Sequence, residues 1–92
     1  MDGEFSEQAA RADMAAKGFK NVVLVEQPPG HFNDHHSHDF PVYVWILDGS
    51  MEVETEGGKT VYKKGDLLTL PKGQPHIERI GPNGIRLLSA RG

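Results

Sequence analysis

Residues 30–49, GHFNDHHSHDFPVYVWILDG, crowd four histidines into eight positions and follow them with a run of large apolar side chains. Imidazoles at that density raise the question of a bound metal. His36 and His38 stand two apart, so in a strand both side chains leave the same face. His35 has the opposite parity, and it and His31 are read as solvent-exposed. The run VYVWIL (42–47) is apolar on both faces and ends at Asp48-Gly49, a turn dipeptide. Val42, Val44 and Ile46 are assigned to the interior, which sends Tyr43, Trp45 and Leu47 outward.

The sequence on either side of this stretch is mostly strand-like. Upstream, NVVLVEQ (21–27) is β-branched and closes at PPG. Downstream, SMEVETE alternates, with Met51, Val53 and Thr55 on one face and Glu52, Glu54 and Glu56 on the other. Gly57-Gly58 then matches a tight hairpin turn. KTVYK, LLTL, HIERI and IRLLSA follow, separated by the turn signals KGD, PKG and GPNG. Short strands at this spacing predict an all-β barrel or sandwich rather than alternating βαβ units. The exception is FSEQAARADMAAKGF (5–19), a helix with Ser6 as N-cap and Gly18 as its stop. Its apolar face is mostly alanine, so it is expected to be weakly held.

Composition narrows the function. With 92 residues there is room for one core, and roughly 60–65% of the unfolded surface is buried in a domain of this size. The net charge is −3 and the ten basic residues are scattered, which argues against a nucleic-acid partner. No stretch approaches the roughly 20 apolar residues of a membrane span, and the acidic N-terminal segment does not read as a secretory signal. A cytoplasmic location with no membrane partner is the expectation. There is no cysteine, so any metal is held by nitrogen and oxygen alone.

A second segment joins the histidine cluster. GDLLTLPKGQPH (65–76) brings in His76 behind a Pro-x-Gly turn. Together the two stretches resemble the motifs of the cupin superfamily. Gly30, His36, His38 and Gly49 match the first motif, and Gly65, Pro71, Gly73 and His76 match the second. The resemblance implies an antiparallel β-barrel of the double-stranded β-helix or jelly-roll type over residues 20–92, after a helical segment over 1–19. Two positions depart from the pattern. Val42 stands where the family carries a metal-binding Glu, and Ile80 where it carries a terminal Asn.

The resemblance implies one divalent transition metal per chain (Fe, Mn, Zn, Ni or Cu), ligated by His36, His38 and His76. Three imidazoles turned inward without a partner would each cost about 1–3 kcal/mol, which independently favours an ion over an empty cluster. The alternative is a metal-free barrel that keeps the histidines as a hydrogen-bonded cluster. Glu78 lies two residues after His76 and shares its face. It replaces the missing acid as a ligand, stands behind the ligands, or is exposed at a fraying strand end. Two function classes follow. One is a metalloenzyme acting on a small organic substrate, by oxygenase chemistry with iron or by isomerase, epimerase or hydrolytic chemistry with zinc or manganese. The other is a small-molecule or metal sensor without turnover. No catalytic residue is assigned. The outward Tyr43, Trp45 and Leu47 point to a homodimer through that face unless the helix or the 20–27 strand covers it.

Overall fold

The computed structural model describes residues 5–91. Met1–Glu4 and Gly92, the outer ends of the two expected segments, lie outside the described residues. One helix, α1 (Glu7–Ala16), precedes six strands: β1 (Val22–Gln27), β2 (Phe32–His36), β3 (Val42–Thr55), β4 (Gly58–Lys63), β5 (Leu67–Leu70) and β6 (His76–Ala90). All pairings are antiparallel.

Two long strands form the spine. β3 and β6 pair from Val44↔Ser89 to Glu54↔Ile77, and each shares its outer edge between two short strands. β5 lies along the first part of β3 and β4 along the rest. β2 lies along the first part of β6 and β1 along the rest. The sheet therefore reads β1-β6-β3-β5 at one end and β2-β6-β3-β4 at the other. The two halves close over a shared core that includes Val44, Ile46, Met51, Val53, Leu68 and Ile80. This is the all-β jelly-roll barrel expected from the sequence.

Two expected turns are bends within continuous strands instead. β3 runs straight through Asp48-Gly49, and β6 runs through GPNG (81–84). The register shifts at Ile46/Asp48 and Gly49/Met51, so the extra residues form bulges that bend the pair and fold one half over the other. Gly49 has φ 78°, and a Cβ there would meet the Gly84 carbonyl oxygen at 2.0 Å. Turn-type residues are needed at both places, but the ladder resumes on the far side. The β3–β4 hairpin is also displaced by one residue, because Thr55 pairs with Gly58 and the turn is Glu56-Gly57.

The alternations hold on both long strands. Met51 and Val53 are in the core, while Glu52 and Glu54 face outward and bind Arg79 at 3.0 and 2.8 Å. On the other face of β3, Leu47 is buried beneath α1 with Leu88 and Ala90. The helix begins as expected, with Ser6 Oγ accepting from the Ala9 N–H at 3.1 Å. It ends in a Schellman arrangement, in which Phe19 N–H donates to the Met14 carbonyl and Gly18 N–H to that of Ala15.

The helix is held more firmly than its alanines imply. Ala10 and Met14 are fully buried, and Phe5 and Phe19 flank them against Trp45 and Tyr43. Small residues let α1 approach closely, and the grip comes from the aromatic side chains at its ends. The face expected to receive a second chain is thus covered by the chain's own helix, and the ground for placing a dimer interface there is removed. No helix among the described residues is long and apolar enough to cross a membrane.

Candidate metal centre

The register of β2 on β6 sets the site. His36 and His76 are direct cross-strand partners at the end of that ladder. The Pro71–Gly73 turn then clips the next histidine in place, because Gly73 N–H donates to the His38 carbonyl at 2.8 Å. This is why the two motifs act together although they are far apart in sequence. His38 lies just beyond β2, not within it as its spacing suggested, yet it ends on the same side as His36.

One ligand atom from each of His36, His38 and His76 lies within 4.8 Å of the others. The rings of His36 and His76 are 4.2 Å apart, and His38 is 5.1 and 5.4 Å from them. Backbone carbonyls orient two of the three. His36 Nδ1 donates to the Asp34 carbonyl at 2.6 Å, and His76 Nδ1 to the Gln74 carbonyl at 3.0 Å. Each bond leaves Nε2 with its lone pair free, the tautomer that a metal ligand requires. Burial holds the His38 imidazole below the ordinary histidine value. The His36 and His76 rings push the same way, and Glu78 pulls against them.

His76 is 1% exposed, and its Nε2 is the one buried side-chain nitrogen or oxygen among the described residues that has no hydrogen-bond partner. Such a group costs about 1–3 kcal/mol unless something meets it. A cation held among the three rings would meet it, so the donor set fits a divalent ion.

Glu78 turns toward the same cluster. Its Oε2 stands 3.4 Å from His76 Nε2, and its Oε1 accepts from Asn33 Nδ2 at 2.8 Å. Asn33 Oδ1 in turn takes a hydrogen bond from His31 Nε2 at 2.9 Å. His31 is therefore half-buried and engaged rather than free in solvent, whereas His35 is exposed as expected. Val42, at the family's Glu position, lines the cavity and leaves that side apolar.

The cavity measures about 430 Å³. His36, His38 and Glu78 are on its wall, with apolar residues such as Val44, Leu68 and Leu87 around them. Sequence reading missed Asn33, Ser89 and Arg91, which also line it. By strand parity Asn33 falls opposite His36 and His38, and only the register shift between Asn33 and His36 brings it to their face. Ser89 and Arg91 arrive only through the β1–β6 end of the barrel. No local pattern marks any of them.

A barrel of two bent long strands with inward histidines on one wall defines a class of small metal-site β-barrels. The chain belongs to the cupin domain family, whose model matches residues 23–81. No curated protein matches the sequence. Among solved structures, a variant of oxalate decarboxylase from Bacillus subtilis has a TM-score of 0.67 at 26% identity, covering 74% of this chain and 19% of the enzyme. The chain thus spans about a fifth of that protein, which has Mn(II) centres. A DUF861 family protein from Thermotoga maritima has a TM-score of 0.66 at 26% identity, covering 87% of this chain and 90% of that one. A cupin-2 domain protein from Shewanella frigidimarina shares the fold at 15% identity, with a TM-score of 0.66 over 76% of this chain and 67% of that one.

Proposed function

We propose that this chain is a metal-dependent cupin that acts on a small organic molecule at a centre made by His36, His38, His76 and Glu78. The observation that carries the reading is the convergence of three imidazoles around the buried, unpartnered Nε2 of His76. The Mn(II) centres of the structurally similar oxalate decarboxylase support it.

Glu78 completes the donor set from β6, two residues from the position where His76 sits, in place of the acid that Val42 removes. Two ligand atoms about 2.1 Å from one ion at a tetrahedral angle stand about 3.4 Å apart. The His76 Nε2 to Glu78 Oε2 separation is 3.4 Å. Asn33 fixes the carboxylate by holding its other oxygen, and His31 fixes Asn33. Val42, Val44, Leu68 and Leu87 make much of the surrounding wall apolar, which strengthens charge interactions beside it. A bound divalent ion supplies Lewis acidity toward an oxygen of the organic molecule.

The test is metal analysis of protein purified without a histidine tag, followed by titration of the metal-free form with zinc and manganese. One ion per chain is expected. His36→Ala, His38→Ala or His76→Ala should each cut occupancy sharply, while His35→Ala leaves it unchanged. Equal occupancy in the triple alanine variant would overturn the proposal.

A further inference from the structure

Every other arginine among the described residues is engaged with carboxylates: Arg11 with Glu7, Arg79 with Glu52 and Glu54, and Arg86 with Glu7 and Glu26. Arg91 has no carboxylate partner among them. Its Nε donates to Ser89 Oγ at 3.1 Å, and its guanidinium carbon lies 5.7 Å from the centre of the Phe40 ring. Phe40 is itself stacked on His38, with centroids 5.0 Å apart and planes 27° from parallel. The backbone is pinned too, because Arg91 N–H donates to the Asn21 carbonyl at 2.7 Å. The guanidinium is thus anchored through one nitrogen and one face on the cavity wall that carries His38. Neither Nη has a partner among the described residues.

A guanidinium with its paired N–H groups unused matches the two oxygens of a carboxylate. We propose that Arg91 is the docking point for the carboxylate of a small, largely apolar organic acid whose opposite, oxygen-bearing end reaches the histidine centre. Size and walls set the class. A cavity of about 430 Å³ lies at the low end of small-molecule sites, and Val25, Val44, Leu68, Ile85 and Leu87 leave its middle apolar. Charge favours a carboxylate over a phosphate. Arg91 is the one Lys or Arg among the lining residues, and Asp34 and Glu78 line the cavity with it. At the Arg91 end a single positive charge balances a monoanion, whereas a phosphate dianion docked there would keep an unpaired charge.

The inference deepens the metal reading and rests on it for the far end of the ligand only. It is tested with hexanoate and benzoate and their neutral isosteres, hexanamide and benzamide. Each is titrated calorimetrically into the zinc-loaded and the metal-free full chain. Wild-type protein should bind at least one acid saturably and more tightly than its amide. Arg91→Gln should weaken that acid by roughly 10–100-fold, the loss expected for a charged hydrogen-bonded pair. The amide should bind Arg91→Gln as it binds wild type, and Arg91→Lys should recover part of the loss. Zinc affinity, measured separately, should be equal in all three proteins. If zinc fails to bind but the acid preference and its Arg91 dependence persist in the metal-free chain, the metal reading fails and this one stands. No saturable acid binding, or equal acid affinity in Arg91→Gln, overturns it.

Discussion

Trp45 and Asp13 lie 32 residues apart in sequence and are joined by a hydrogen bond of 2.9 Å from the indole Nε1 to a carboxylate oxygen. The same oxygen accepts from the Tyr43 hydroxyl at 2.6 Å, and the other is paired with Lys17. One acidic residue of α1 thus satisfies both polar tips of the outer face of β3. An aromatic face that reads as an interface in one dimension is a docking surface for the chain's own helix in three.

This arrangement has a pH signature. Lys17 first, then Tyr43 and Trp45, hold the Asp13 carboxyl down at about 2. A group whose value is depressed by folding stabilises the fold above its unfolded value, about 3.9. That contribution is lost as pH falls from there toward 2. Asp13→Asn should therefore lower stability by about 1–2 kcal/mol at neutral pH. Melting curves of the two proteins should converge between pH 4 and pH 2. A gap that stays constant down to pH 2 would refute the assignment.

Trp45→Glu tests the covered face directly. It places a carboxylate beside Asp13 and removes the ring that Phe5 packs against at 5.4 Å. A loss of about 2–4 kcal/mol is expected, chiefly from lost burial and like-charge repulsion. Chemical denaturation measures the loss, and light scattering under native conditions should give the same mass for wild type and variant. A dimer that dissociates in the variant with its unfolding midpoint unchanged would show that the face binds a second chain after all.

Gly49→Ala isolates the bulge that bends the barrel. The added methyl must displace the Gly84 carbonyl, 2.0 Å away, and the backbone there is left-handed. Gly18 also has a positive φ, but its surroundings are open. Alanine at Gly18 should cost about 1–2 kcal/mol, the left-handed penalty alone. Alanine at Gly49 should cost clearly more or prevent folding, as judged by urea unfolding and soluble yield. Equal costs would mean that the β3–β6 contact at this point yields easily.

The strand periods, the helix with its caps, and the Gly and His spacings were legible because each is a local rule. Val42, Val44 and Ile46 face the core, and His36, His38 and His76 come together, as those rules imply. The bends at Gly49 and Gly84 were not legible. A Gly that closes a hairpin and a Gly that makes a bulge satisfy the same local requirement, and only the partner strand distinguishes them. Asp13, Asn33 and Arg91 were invisible for a related reason. Their roles depend on residues brought near by the closure of the sheet, and an acid on a helix or a basic residue at a strand end carries no sign of it.

Glu78 carries the remaining prediction. Three neutral imidazoles leave a divalent ion with its full charge, and Glu78 is the carboxylate closest to it in the reading proposed above. Its Oε2 is near His76 Nε2, its Oε1 is held by Asn33, and its side chain is 18% exposed. Glu78→Gln preserves the shape and removes the charge, so zinc affinity should fall about 100-fold or more if the oxygen is a ligand. A fall of roughly 10–100-fold would be expected from a partner acting through the ligands. Asn33→Ala frees the carboxylate without discharging it and should produce a smaller loss, which a change at an unrelated exposed acid such as Asp39 should not. Chelator competition on all four proteins measures the series. Wild-type affinity in Glu78→Gln would leave the centre as three histidines alone, with Glu78 available to take up or release a proton from the bound molecule.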